Sequence, residues 1–124
     1  MGYLPAATKN AAIGGAFPAA TNRYWGFAGP TSPGTTGAHE VTGTASHKRQ
    51  LSKTTTPTAG ITKNATAMTW TSSGTWTIKY FVINALATGA GTYQGGGPLA
   101  STITVPVGST ISAAIGAFQL RATG

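Results

Sequence analysis

Acid is almost missing from this chain. Its 124 residues include one Glu, Glu40, and no Asp, against eight Lys and Arg. The formal net charge is +7 and the pI is near 10.3. Catalysis by paired carboxylates is therefore excluded within one chain. Cysteine is also absent, which removes disulfides, thiolate nucleophiles and Cys-based metal sites. No stretch approaches the ~18 continuous apolar residues of a membrane span. The start, MGYLPAATKN, lacks the basic head and apolar run of a signal peptide. The expectation is a soluble chain with no membrane partner that does not pass through a secretion system.

Charge of either sign is scarce. Only 7% of residues are charged, whereas a free soluble surface usually carries about 25–35%. Such a composition suits a subunit whose surface is largely covered by neighbours. The length fits one domain, residues 1–124. A chain of this size buries roughly two-thirds of its unfolded surface, enough for a core without crosslinks.

What the chain does have is Thr, at 23 residues, and Gly, at 18. Branched Thr fits a pleated surface and Gly fits turns. Strong helix formers are few. The balance predicts an all-β fold of short strands and many turns. A short helix is expected over 5–13, with Pro5 in its first turn and Gly14-Gly15 stopping it. Residues 23–28, RYWGFA, alternate and predict a strand. Residues 29–38, GPTSPGTTGA, predict a loop. Further strands are expected over 44–53, 61–63 and 66–70. The strongest strand signal is 75–84, TWTIKYFVIN, with Trp76, Ile78, Tyr80 and Val82 on one face and Phe81 and Ile83 on the other. Residues 88–98 predict a Gly-rich loop. Residues 101–107 and 110–115 flank Gly108-Ser109, which predicts a hairpin turn. Residues 117–122 close the chain, with Phe118 and Leu120 inward. The expected architecture is a small jelly-roll-like β-sandwich with a short N-terminal helix.

The inventory for chemistry is short: Glu40, His39, His47 and hydroxyls. Ser46 and His47 are adjacent, and neighbours on a strand face opposite ways, so they form no triad. His39, Glu40 and His47 are too few and too poorly spaced to predict a zinc site. GAGTYQGGG lacks the Lys-Ser/Thr ending of a phosphate loop. No catalytic residue, no cofactor site and no metal site is expected. Tyr93, Gln94, Gly95, Gly96 and Gly97 are instead a candidate interface loop.

Basic charge raises nucleic acid as a partner. The cations are scattered, however, and only Lys48, Arg49 and Lys53 cluster, which makes them a candidate basic contact surface. Tyr24, Trp25, Trp70, Trp76, Tyr80 and Phe81 interleave with Arg23 and Lys79 as a base- or sugar-stacking platform would. A small β-core needs the same aromatics, and that reading is preferred over nucleic acid binding. Glu40 needs its own explanation. An Arg fork suits a carboxylate bidentately, and Arg49 is the candidate partner. Glu40 and Arg49 are expected to form a structural clamp between the 29–38 loop and the strand after it.

Several of these residues also fall on one pattern. Ser32-Pro33-Gly34, Thr36-Gly37-Ala38-His39-Glu40-Val41, Gly43 and Lys48-Arg49-Gln50 form its first half. Asn64, Ala67, Met68-Thr69-Trp70, Trp76 to Asn84, Thr104-Val105, Gly108-Ser109-Thr110 and Gly116 to Leu120 continue it. Over nearly its whole length the chain resembles small virion proteins of tailed bacteriophages, described as tail-fibre-like, minor tail or capsid-associated proteins. Ser32, Asn84 and Ser109 stand where that pattern has Asp, and His39 where it has Asn. The resemblance implies a non-enzymatic structural protein of the virion. The favoured expectation is a capsid decoration or minor capsid protein. It would bind the major capsid protein on the outer shell as a homo-oligomer, with a trimer favoured. The alternative is a tail-fibre, tail-tip or tail-adaptor protein in contact with a host receptor.

Overall fold

The computed structural model describes residues 19, 21–34, 37–44, 47–89 and 93–121. The helix expected over 5–13 lies outside them. The described chain is all-β. Its strands are β1 (Asn22–Ala28), β2 (Gln50–Lys53), β3 (Ile61–Lys63), β4 (Met68–Thr71), β5 (Trp76–Asn84), β6 (Tyr93–Val105), β7 (Thr110–Ala113) and β8 (Gln119–Arg121). Four of them form one antiparallel sheet in the order β2-β1-β5-β6. The others pair antiparallel as β3 with β8 and β4 with β7.

The core lies on one face of the four-stranded sheet. Trp25 and Phe27 from β1 and Phe81 and Ile83 from β5 meet Met68 and Trp70 from β4, Ala113 from β7 and Leu120 from β8. The alternation in β4 explains its placement: Met68 and Trp70 are buried while Thr69 and Thr71 are exposed. The rings interlock. Phe27 meets Trp70 edge-on at 4.5 Å between centroids, and Phe81 stacks on Phe118 at 4.9 Å. Such pairs contribute about 0.5–1.5 kcal/mol each beyond their burial. Two of the three core indoles find acceptors on the chain's backbone. Trp25 Nε1 donates to the Ser52 carbonyl and Trp70 Nε1 to the Trp25 carbonyl.

Asn64 holds the sheets' far corner. It is fully buried, and its amide donates to the carbonyls of Thr66 and Ala114 while its oxygen accepts from the Phe118 N–H. One side chain thus ties the end of β3 to the β7–β8 connection.

Four expectations are corrected. The strand expected over 44–53 is confined to Gln50–Lys53. Upstream of it, Thr44 Oγ1 accepts from the His47 N–H and the Gly43 N–H donates to the His47 carbonyl, so the chain turns there. Residues 93–98 are strand, not loop; they begin β6 and pair with β5, with Gly97 opposite Phe81 and Gly96 opposite Val82. Gly108-Ser109 is a turn but not a hairpin. The Ser109 N–H bonds the Pro106 carbonyl, yet β6 pairs with β5 and β7 with β4, so the turn passes the chain from one sheet to another. The face of β5 also switches. A register shift between Ile78 and Tyr80 puts Trp76, Ile78, Phe81 and Ile83 together in the core. Tyr80 and Val82 then belong to the opposite, rear face.

Candidate functional site

The rear face of the four-stranded sheet is covered at one end by the chain between β1 and β2. Gly29 donates to the His39 carbonyl and Val41 to the Phe27 carbonyl, which lays residues 39–42 alongside β1. Gly26 makes the approach possible. A Cβ there would stand 1.9 Å from Thr42 Oγ1 and 3.0 Å from Glu40 Oε2.

Glu40 and Arg49 meet over this face. Arg49 Nε donates to Glu40 Oε2 at 2.8 Å and Nη2 to Oε1 at 2.9 Å, a bidentate fork. Arg49 Nη1 also donates to the Leu86 carbonyl at 2.9 Å and Nη2 to the Gly89 carbonyl at 2.8 Å. Thr42 Oγ1 donates to Glu40 Oε2 at 2.6 Å and accepts from the Phe27 N–H. The side chains of Arg49 and Glu40 are 4% and 10% exposed. The pair therefore joins three segments: the β1–β2 connection, the entry to β2 and the turn after β5. Gly43 roofs it. Its φ is +89°, and a Cβ would lie 2.5 Å from Arg49 Nη2. With both oxygens of the sole carboxylate engaged, this arrangement does structural work and offers no free base.

The same geometry dissolves the basic cluster. Arg49 is buried in the clamp, while the exposed Lys48 lies two residues before β2 and the exposed Lys53 at its far end. Arg23 is buried as well and donates to Gln94 Oε1; burial lowers its pKa from the ordinary value. Trp25, Trp70, Trp76 and Phe81 are buried and present no stacking platform, while Tyr24 and Tyr80 are half-buried.

The histidines separate. His39 is exposed with φ +65°, and among the described residues no three His, Asp or Glu converge. His47 does have a partner that sequence spacing hid. Its Nε2 accepts from the Ser73 N–H at 3.1 Å and pairs with Ser73 Oγ, and its ring sits edge-on to Trp76. The pair is 26 residues apart in sequence. Glu40, the one carboxylate side chain of the sequence, is committed to Arg49 and Thr42. His47 here pins the β4–β5 turn to the segment that carries the clamp.

Beyond the clamp, the rear face opens into a cleft. Tyr80 and Pro98 lie opposite each other on β5 and β6, and Ser32 and Pro33 from the loop after β1 form the facing wall. Tyr93 closes one end. Its hydroxyl donates to the Gly34 carbonyl at 3.3 Å, and its ring sits where a Cβ on Gly37 would be. Burial first, and the Glu40 carboxylate second, raise the Tyr93 pKa above its ordinary value. No signal in the sequence joins Ser32, Tyr80 and Pro98, because a loop and two strands bring them together. No protein-family model, no curated protein and no solved structure matches this chain.

Proposed function

We propose that the chain is a non-enzymatic structural subunit of a bacteriophage virion, a capsid decoration or minor capsid protein that binds the outer shell as a homo-oligomer. The four-stranded sheet and the β4–β7 and β3–β8 pairs are read as layers of a small jelly-roll-like sandwich. One observation carries the reading: Glu40, Arg49, Arg23 and all three Trp are spent internally, and the outward face of the β4–β7 pair is left to hydroxyls. On the outward face of β4 and β7, Thr69 stands opposite Ser112 and Thr71 opposite Thr110, all exposed. Among the described residues, these four present neither a charge to repel an identical neighbour nor a large apolar group to aggregate. The exposed Lys48, Lys53 and Lys63 add a diffuse positive field that favours docking on an acidic shell.

The burial of all three Trp also supports this reading over a nucleic-acid platform, whose stacking rings must be open. The first experiment is cryo-electron microscopy of the virion to locate the chain. Symmetric density over the head, with binding to empty shells that weakens as salt rises, is the expected result. Density confined to the tail would overturn the decoration reading and favour the tail alternative.

A further inference from the structure

The cleft on the rear face has features that neither the core nor the clamp requires. Its volume is about 230 Å³. Two phenol rings, Tyr80 and Tyr93, and two pyrrolidine rings, Pro33 and Pro98, form its walls. Both Tyr are half-buried, and Pro33 is buried. Tyr93 is fixed in place by its bond to Gly34, so one wall is preorganised. The lining also carries polar groups: Ser32, whose Oγ accepts from the Gly34 N–H and keeps its own proton to donate, the Tyr80 phenol, and the backbone of Gly96 and Gly97. Those glycines belong to β6, which pairs only with β5 among the described residues, so one side of its backbone faces away from the ladder. None of the described residues lining the cleft is charged.

We propose that this cleft binds one neutral pyranose ring of a glycan. A pyranose has apolar C–H faces and a rim of hydroxyls. The phenol and pyrrolidine rings match its faces, and the Ser32 and Tyr80 hydroxyls with the β6 backbone match its rim. The absence of charge selects against phosphorylated or acidic sugars, whose anions need a cationic partner. The size agrees, since pockets for larger ligands start at about 300 Å³. An extended proline-rich segment would need a longer groove with several aromatic steps. The proposal does not depend on where on a virion the chain sits, and its failure would leave the virion reading standing.

The test is saturation-transfer-difference NMR on the full chain. The probes are the methyl glycosides of glucose, galactose, mannose and N-acetylglucosamine, with a proline decapeptide as the rival. Transfer to the ring C–H protons of at least one glycoside is expected, with a dissociation constant in the millimolar range. Tyr80→Ala should weaken it by at least about tenfold, and Tyr80→Phe, which keeps the ring, by less. Near-UV circular dichroism of the buried Trp checks the fold. Ser32→Trp, which fills the cleft from its exposed rim, serves if Tyr80→Ala does not fold. No transfer to any of the four glycosides, transfer that survives filling of the cleft, or binding of the decapeptide in their place would overturn the proposal.

Discussion

Replacing Glu40 by Gln tests the clamp with the smallest change in shape. Glu40 accepts three hydrogen bonds, two from Arg49 and one from Thr42. Gln keeps one acceptor oxygen but turns an NH₂ group toward a guanidinium that has only donors. Arg49 then keeps its bonds to the Leu86 and Gly89 carbonyls, but its charge is buried without a counter-charge. Removing one partner of a buried pair typically costs ~3–5 kcal/mol. The two surviving carbonyl bonds place this case near the lower end, about 3 kcal/mol. For a chain of this size the melting temperature should fall by roughly 10 °C. Urea unfolding followed by Trp fluorescence is the assay, because all three Trp are buried and will report exposure. The loss should change little with added salt, since buried pairs are weakly screened. A loss below ~0.5 kcal/mol is the range of an exposed pair and would refute the clamp.

Three further outcomes follow from the same geometry. Gly43→Ala forces a Cβ into the Arg49 guanidinium at φ +89°; it should cost at least about 1 kcal/mol from backbone strain alone, read by the same urea assay. Asn64→Ala removes three part-buried hydrogen bonds, to the Thr66 and Ala114 carbonyls and from the Phe118 N–H, while the Ala114 carbonyl keeps the Ala117 N–H. At about 1 kcal/mol per lost bond, it should be clearly destabilising, and a neutral melting temperature would contradict its role. Tyr93 has a folded pKa raised above its ordinary value. Its stabilising contribution is therefore complete below the unfolded pKa and is lost as pH rises through the folded one. Tyr93→Phe should flatten the stability decline above about pH 10, and an unchanged alkaline slope would show that the Tyr93 hydroxyl does not matter.

Periodicity and residue chemistry were enough for the all-β character and for most strand positions. β1, β3, β4, β5 and β8 stand where alternation and turn residues put them, because side-chain period follows directly from the pleat. The pairing of Glu40 with Arg49 was legible for a different reason. A lone carboxylate in a basic chain has few ways to be satisfied, and Arg49 is the forked cation near it in sequence. Other features depended on contacts between distant segments. Glycine at 95–97 signals a loop locally, yet pairing with β5 makes it strand, and Phe81 fills the space over Gly97. The irregularity at Ile78 and Tyr80 reverses which face each later residue takes, since a shift of one residue in a period of two exchanges the faces. His47 finds Ser73 across 26 residues, and Asn64 finds Ala114 across 50. Residue types alone therefore settled that this chain forms strands and must shelter its single acid. Only the tertiary structure decided which cations are buried and where the rear face stays open, because both depend on long-range register that no local pattern encodes.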